Sequence, residues 1–195
     1  MDGVGRSFHA TLCSRNAHKA RELERLLPGW AIDTLDTDGY PDETGATYYE
    51  NALQKAAFGF EHVGGWTIGE DSGLEVAALG GRPGIGSARY APEGAPAIAK
   101  LLGELEGVDD RRARYVCELV AIAPDREIFR GTGRLDGRIA SHARGSGGFG
   151  YDPVFVPEGE EQTVGELGDD WKARNSHRAR AARALREAVE LRGLA

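Results

Sequence analysis

Two adjacent carboxylates beside a short apolar segment are the residues of this chain with the most evident chemical use. Residues 66–68 predict a strand, and Glu70, Asp71 and Ser72 follow it on a glycine-bounded turn. Proteins of the α/β class place their chemistry at such strand ends. Neighbouring carboxylates repel each other, so the pKa of at least one should rise in a partly buried site unless a cation lies between them. An acidic surface turn is the alternative interpretation.

Basic residues at the start of a predicted helix suggest an anion site. The helix spans residues 17–27 and follows Asn16, a predicted N-cap, and its first turn carries His18 and Lys19 with no acidic residue before Glu22. Cations at the electropositive start of a helix cost stability, whereas carboxylates there would contribute some. Free amides together with Lys or Arg at a helix start are typical of a phosphate site.

A second predicted helix, at 177–191, repeats this pattern. Lys172 lies before its predicted N-cap, Ser176, and His177 and Arg178 follow the cap. Either helix alone is equally consistent with solvated surface charge, but two such starts in an acidic chain favour a polyanionic ligand. Carboxylates elsewhere in the chain would then be ligands of a divalent metal that the same polyphosphate also binds.

The glycine-rich loop at 145–153 is a candidate nucleoside site. Its glycines let the backbone approach a ligand, Phe149 and Tyr151 offer flat faces on which a base could stack, and Asp152 can accept hydrogen bonds. A β-turn with its aromatic rings packed into the core is the alternative. The loop is not GxGxxG, and the chain contains neither GxxxxGK[ST] nor a Nudix-type helix, so these phosphate-binding patterns are excluded.

Composition narrows the class of protein. The chain has 195 residues, 41% of them hydrophobic, and a formal net charge of −7. That charge argues against duplex nucleic acid as a partner. No apolar run approaches membrane-spanning length and the first residues do not resemble a signal peptide, so we expect a cytoplasmic protein with no membrane partner. Cys13 and Cys117 lie in apolar surroundings without CxxC spacing, which predicts reduced core residues rather than a disulfide or a zinc site.

The order of predicted elements indicates an α/β fold with a mixed sheet. We expect a single domain over 1–195, in two lobes, with about residues 1–7 as a flexible N-terminal extension. A hairpin should turn at Pro124 and Asp125. The predicted strands are 8–13, 30–35, 66–68, 112–123, 127–135 and 154–156, and the predicted helices are 17–27, 48–60, 95–105 and 177–191.

Five segments in this order resemble one family, the inosine/xanthosine triphosphate pyrophosphatases (XTP/dITP diphosphatases, Ham1-like). They are SRNAHKARELERLL, DETGATYYENALQKA, GEDSGLEVAALGGRPGIGSARYA, GGFGYDPVFVPEG and KARNSHRARAARAL, and they span 14–185. The combination GGFGYDP, SHR, ENALxKA and DSGLEVxALGGxPGxxSARYA is highly specific. Any one of these motifs could occur by chance, but their joint occurrence in register could not.

The resemblance implies a fold, an activity and a metal. The fold would be the ITPase-like (Maf/Ham1) fold, with two lobes around a long mixed β-sheet, flanking helices and a nucleotide cleft between the lobes, usually in a homodimer. The activity would be Mg²⁺-dependent hydrolysis of nonstandard purine nucleoside triphosphates (ITP, dITP, XTP) to the monophosphate and diphosphate, which clears deaminated purines from the nucleotide pool.

The resemblance also implies roles for individual residues. Asp71 would be the catalytic proton acceptor that activates water, and Glu43 and Asp71 would be metal ligands. Substrate binding would involve four groups of residues. The phosphate loop would consist of Ser14, Arg15, Asn16, Ala17, His18 and Lys19, and Ser72 would be a further substrate contact. The nucleoside would be held by Phe149, Gly150, Tyr151 and Asp152, and the base and phosphates would be recognised by Lys172, His177 and Arg178. Lys55 and Arg89 match the family pattern too, and together with Glu70 they are further candidate site residues without an assigned role.

Two positions depart from the family pattern. The family usually has glycine where this chain has His18, which bears on the path of the phosphate loop, and aspartate where it has Glu70, which bears on metal geometry. Two other functions remain open. One is a related diphosphatase acting on modified pyrimidine nucleotides, and the other is a nucleotide-binding sensor that has lost hydrolysis.

Overall fold

A computed structural model of the chain describes residues 8–14, 16–37 and 39–193. The predicted N-terminal extension at 1–7 lies outside the described residues. The strands are β1 Phe8–Leu12, β2 Trp30–Thr34, β3 Trp66–Val76, β4 Arg112–Ile122, β5 Ile128–Ile139 and β6 Phe155–Pro157. The helices are α1 Ala17–Leu26, α2 Tyr48–Val63, α3 Ala95–Glu104, α4 Val164–Asn175 and α5 His177–Leu191, with 3₁₀ turns at Ala77–Leu79 and Gly84–Arg89.

The six strands form one sheet in the order β2-β1-β3-β4-β5-β6. Strand β1 pairs in parallel with both β2 and β3, whereas β5 and β6 pair antiparallel. Strands β4 and β5 are neighbours, and the predicted turn between them is closed by a hydrogen bond from Ala123 N to Glu127 O of 2.9 Å. The prediction of an α/β fold with a mixed sheet and flanking helices is therefore confirmed.

The chain divides into two compact units, and β3, β4 and β5 contribute residues to both. The first unit comprises the described residues up to Asp71, then Cys117–Gly133, then the described residues from Arg178 onward. The second unit comprises Ser72–Val116 and Arg134–His177. Two of the boundaries between the units therefore lie inside motifs quoted above: one follows Asp71 in GEDSGLEV, and the other precedes Arg178 in NSHR.

Strand alternation gives the first unit a core on each face of its strands. Along β4, Cys117, Leu119 and Ala121 pack with α1 and α5, while Val120 and Ile122 pack with α2. Successive side chains of a strand point to opposite faces, so helices cover this part of the sheet on both sides. Side chains that leave β3 in opposite directions consequently meet different helices.

The second unit has its own core. Leu74 of β3, Leu101 of α3, Tyr115 of β4 and Phe155 of β6 are buried there together. Tyr115 and Phe155 lie with ring centroids 4.5 Å apart. This core also includes Tyr151, one of the two aromatic residues of the glycine-rich loop that the sequence marks as a candidate site.

The largest difference from the sequence prediction is the length of β3. We predicted a turn after residue 68, but the strand continues to Val76 and holds Glu70 and Asp71 within it. Gly69 does not make a turn; a Cβ atom there would lie 1.9 Å from Ala52 O of α2. The glycine therefore permits close contact between strand and helix.

Helix α4 is absent from the sequence prediction, and its presence corrects the interpretation of Lys172. This lysine lies in the last turn of α4, and Ser176 is the C-cap of that helix as well as the residue before α5. A cation at a helix C-terminus is stabilised by the helix dipole. Lys172 is therefore not a destabilised charge at a helix start.

Two further predictions concern the cysteines and the membrane. Cys13 and Cys117 are free and buried, as predicted. Within the described residues, no helix is both long enough and apolar enough to cross a membrane.

Candidate active site

Asp71 is the centre of a buried polar cluster in the first unit. Its Oδ2 accepts a hydrogen bond of 3.0 Å from Asn51 Nδ2, and its Oδ1 lies 3.3 Å from Lys55 Nζ. The same ammonium donates to Glu70 O at 3.1 Å and lies 2.5 Å from Glu43 Oε1. We call Glu43, Asn51, Lys55 and Asp71 the Asp71 cluster. Because Asn51 and Lys55 are four residues apart on α2, one helix face presents both to β3.

The electrostatics of this cluster make Asp71 a better base than an exposed aspartate. Burial raises the pKa of Asp71, and the charge of Lys55 and the hydrogen bond from Asn51 oppose that rise. Burial would lower the pKa of Lys55, but the charge of Asp71 and the bond to Glu43 raise it above its ordinary value. The predicted pKa rise at the carboxylate pair is confirmed, with burial rather than mutual repulsion as its main cause.

The donor set of the Asp71 cluster fits Mg²⁺. Oxygens of Glu43 and Asp71 converge on one cationic position, which the Lys55 ammonium fills in this structure. Mg²⁺ is commonly bound by one or two carboxylates with substrate phosphates and water completing its coordination. Among the residues that the structure describes, no group of three or more His, Cys, Asp or Glu side chains is arranged to hold a metal by itself. Glu43 and Asp71 therefore offer two carboxylates, and phosphate and water would have to complete the coordination of a metal.

Glu70 belongs to a different ionic cluster of the first unit. Its Oε2 lies 2.5 Å from Lys19 Nζ, and its Oε1 accepts a hydrogen bond of 3.0 Å from Arg178 Nη2. Arg178 Nη1 also donates to Glu22 Oε2, and the Cys117 thiol donates to Glu70 Oε1 at 3.5 Å. Glu70 is 1% exposed and Arg178 2% exposed. We call Lys19, Glu22, Glu70 and Arg178 the Glu70 cluster.

The start of α1 has the predicted cap. The side chain of Asn16 accepts from the backbone N–H groups of His18 and Lys19 at 2.9 and 3.4 Å, and Ser14 Oγ accepts from Asn16 N at 3.1 Å. The first turn of α1 has no acidic residue, as expected from the sequence. Lys19 is nevertheless balanced by Glu70, so a protein carboxylate supplies an anion that we expected from a ligand.

The other residues of the predicted phosphate loop lie at the start of α1 or outside the described residues. His18 is exposed, and its Nδ1 lies 3.1 Å from Arg21 Nη2. Ala17 is the first residue of α1. The prediction for Arg15 lies outside the described residues.

Asp152 organises a polar cluster in the second unit. Its Oδ2 accepts hydrogen bonds from Lys172 Nζ at 2.8 Å and from Phe149 N at 2.9 Å, and its Oδ1 accepts from the Tyr115 hydroxyl at 3.3 Å. The ring of His177 stacks on Tyr115 with centroids 4.5 Å apart and planes 10° apart. We call Tyr115, Phe149, Asp152, Lys172 and His177 the Asp152 cluster.

The contacts of Asp152 fix the shape of the glycine-rich loop. Gly148 has a φ of +73°, and a Cβ there would lie 2.1 Å from Asp152 Oδ2, so only glycine fits. The half-buried ring of Phe149 has Lys172 Nζ 4.6 Å from its centroid. Tyr151 is buried in the core of the second unit, so the core-packing alternative holds for this ring. Gly150, between the two aromatics, has a φ of +62°.

The structure places the other predicted residues and adds three that the sequence analysis missed. Ser72 is half-buried on β3 directly after Asp71, and Arg89 is exposed at the end of a 3₁₀ turn. The missed residues are Glu22, Asn51 and Tyr115. The motif ENALQKA carries a signal for Asn51, since it puts this amide one helical turn from Lys55. For Tyr115, on an apolar strand, the sequence offers none.

The fold and the site together define a class of protein: an α/β protein with a mixed sheet whose buried carboxylates are paired with Lys and Arg side chains. The Ham1 family model matches residues 10–188, and the chain belongs to the Ham1 family. It is 43% identical over 176 residues to a dITP/XTP pyrophosphatase of Gloeobacter violaceus, covering 89% of this chain and 90% of that one. It is 42% identical over 194 residues to a dITP/XTP pyrophosphatase of Thermus thermophilus, covering 95% and 93%.

Solved structures give the same relationship. The Ham1 protein of Staphylococcus aureus matches with a TM-score of 0.83 at 36% identity, covering 94% of this chain and 99% of that chain. A Ham1 protein from Coxiella burnetii matches with a TM-score of 0.80 at 32% identity, covering 95% and 99%. The family resemblance inferred from five motifs is therefore confirmed.

Proposed function

We propose that this protein hydrolyses nonstandard purine nucleoside triphosphates (ITP, dITP and XTP) to the monophosphate and diphosphate. The observation that carries the proposal is Asp71, a buried carboxylate of raised pKa held by Asn51 and Lys55. The names of the Gloeobacter and Thermus relatives, dITP/XTP pyrophosphatase, support the substrate class.

Asp71 acts as the general base. The oxygen of a water molecule bonds to the α-phosphorus, the bond from that phosphorus to the bridging oxygen breaks, diphosphate leaves, and the proton of the water passes to Asp71. Asn51 and Lys55 hold the carboxylate in one orientation. Orientation and charge matter most in this chemistry, because phosphoryl transfer asks little covalent help from the protein.

Lys19 and Arg178 are the phosphate-binding cations of the first unit. Both point to one buried carboxylate, Glu70, and α1 carries the capped, acid-free start that suits an anion. Arg offers a planar fork of donors to phosphate, and Lys offers a compact charge.

The Asp152 cluster binds the nucleoside. Phe149 presents a half-buried ring, Lys172 an ammonium held by Asp152, and His177 an imidazole stacked on Tyr115. A 6-oxo purine presents an acceptor where adenine presents an amino donor, so a protonated lysine favours the oxo base. Such a mismatch costs about 1–3 kcal/mol, which corresponds to about 10- to 100-fold discrimination.

Mg²⁺ is the cofactor in this proposal. Glu43 and Asp71 would hold it, since their oxygens already converge on one cationic position. When bound, the ion supplies neutralisation of phosphate charge and orientation of the phosphate oxygens. Lys55 contacts both carboxylates and therefore offsets one of their two negative charges before the metal binds.

The test is diphosphate release from ITP by the purified protein with Mg²⁺ and, in parallel, with EDTA. We expect release with Mg²⁺ and none with EDTA. We also expect ITP and XTP to be preferred over ATP and over GTP by about 10- to 100-fold each in kcat/KM, which the single amino donor of adenine or guanine provides as one mismatch. Diphosphate release from a panel of modified pyrimidine triphosphates distinguishes this function from that of a related diphosphatase acting on modified pyrimidine nucleotides. Nucleotide binding without release on any substrate would identify a sensor and overturn the proposal.

We also propose a homodimer, as family membership suggests. Sedimentation equilibrium of the purified chain tests it, and a single species of monomer mass at micromolar concentration would contradict it.

A further inference from the structure

The four side chains of the Glu70 cluster carry equal numbers of positive and negative charges. Lys19 and Arg178 contribute two positive charges, and Glu22 and Glu70 contribute two negative ones. The two cations meet the two oxygens of a single carboxylate: Lys19 lies 2.5 Å from Oε2, and Arg178 lies 3.0 Å from Oε1. Every phosphate that binds to this pair therefore meets cations that already have a counter-ion.

Burial makes this counter-ion necessary. Arg178 is 2% exposed, and a buried cation without a partner is costly. The Cys117 thiol donates a further hydrogen bond to Glu70 Oε1 at 3.5 Å, and this thiol is itself fully buried. Glu70 is consequently held in place from three directions.

We propose that Glu70 is an internal counter-ion that competes with phosphate for Lys19 and Arg178. It stabilises the nucleotide-free protein and limits the affinity of the first unit for polyphosphate, so that the diphosphate product is not retained. This inference rests on the proposed function of Lys19 and Arg178 as phosphate ligands. It assigns to Glu70 a role on the cations and not on the metal, for its carboxylate lies with Lys19 and Arg178 while Glu43 lies with Lys55.

The test uses Glu70→Gln, which keeps the length of the side chain and removes its charge. The probe is inorganic diphosphate, titrated by calorimetry in EDTA so that metal binding does not contribute. We expect the variant to melt lower than wild type without ligand and to bind diphosphate at least about tenfold more tightly, as removal of a unit charge close to an anion predicts. Its KM for ITP should fall. Diphosphate should raise its Tm by more than it raises that of wild type.

Two further variants test the same proposal if Glu70→Gln folds poorly. Glu22→Gln removes the second counter-charge from a partly exposed position, and it should also tighten diphosphate binding. Glu70→Asp keeps the charge and should resemble wild type in diphosphate affinity more closely than Glu70→Gln does.

A matched control is Glu118→Gln in the same unit. Glu118 is buried on β4, where Arg130 and Thr132 bind its carboxylate, and it belongs to none of the three clusters. This variant should lose stability without any change in diphosphate affinity.

The outcomes separate this inference from the proposed function. Unchanged or weaker diphosphate binding in both Glu70→Gln and Glu22→Gln, in a protein that hydrolyses ITP, would overturn the inference and leave the function intact. A wild-type protein that neither hydrolyses ITP nor binds diphosphate would overturn both.

Discussion

Glu70 and Asp71 are consecutive residues of β3 whose carboxylates meet different sets of cations. Glu70 binds Lys19 of α1 and Arg178 of α5, and Asp71 binds Lys55 of α2. Strand alternation sends the two side chains to opposite faces, and different helices cover those faces. One strand therefore separates a carboxylate that neutralises the proposed phosphate cations from one that can accept a proton.

Asp71→Asn should abolish turnover and leave the fold intact. The change removes the proton acceptor, so we expect a loss of at least about 10²-fold in kcat on ITP, as is typical when a general base is removed. The fold should persist because burial already favours the uncharged form of this side chain. Asp33→Asn, at an exposed carboxylate paired with His9, is the control and should retain activity. Near wild-type turnover by Asp71→Asn would remove Asp71 from its assigned role.

Glu43→Gln should raise the Mg²⁺ concentration needed for half-maximal hydrolysis. Glu43 supplies one of the two carboxylates that converge on the Lys55 ammonium, and a neutral amide binds Mg²⁺ less well. The measurement is a Mg²⁺ titration of ITP hydrolysis at saturating nucleotide. Asp42→Asn alters the adjacent, exposed carboxylate and should leave the titration midpoint unchanged. Equal midpoints for Glu43→Gln and wild type would show that Glu43 does not bind the metal.

Lys172→Met and Arg178→Ala should affect substrate choice differently. Lys172 lies in the Asp152 cluster beside Phe149, so its loss should narrow the preference for ITP over ATP by about 10- to 100-fold. Arg178 lies in the Glu70 cluster with Lys19, so its loss should reduce kcat/KM on both nucleotides equally. Lys100→Met changes an exposed lysine over Tyr90 and serves as the control. If Arg178→Ala alone narrows the preference, the two assignments are reversed.

Apart from α4, the sequence predicted the order of strands and helices, because the apolar periodicity of these elements is strong. It also predicted the cap at Asn16, since the cap depends on residues adjacent in the chain. Contacts between residues that are far apart in the sequence could not be predicted from local patterns. That Arg178 reaches Glu22 and Glu70 follows from the packing of α1 and α5 on one face of the sheet, which no local pattern encodes.

Helix α4 shows a second limit of prediction from sequence. It begins with a capping box in which Thr163 Oγ1 accepts from Glu166 N and Glu166 accepts from Thr163 N, a signal present in the sequence as TVGE. Gly165 and Gly168 weaken the helical pattern that follows, and Gly168 has a φ of +78° inside the helix. The capping signal is real, but the apolar periodicity needed to confirm it is interrupted.

Gly69 offers a test of how β3 positions Asp71. A Cβ at this residue would lie 1.9 Å from Ala52 O and 2.6 Å from Ala56 N, both backbone atoms of α2 that cannot rotate away. Gly69→Ala should therefore push β3 and α2 apart and destabilise the protein by about 1–3 kcal/mol or more, as overpacked cores do. Because Asn51 and Lys55 reach Asp71 from the same helix, kcat should fall even in the molecules that remain folded.

Gly103→Ala is the matched comparison for Gly69→Ala. Gly103 lies in α3, and a Cβ there would have no neighbour within 4 Å, so alanine should stabilise the helix by about 0.5–1 kcal/mol without altering turnover. Urea unfolding and ITP hydrolysis, measured for both variants, give the two readouts. A Gly69→Ala protein as stable and as active as Gly103→Ala would mean that contact between α2 and β3 is not what holds Asn51 and Lys55 against Asp71.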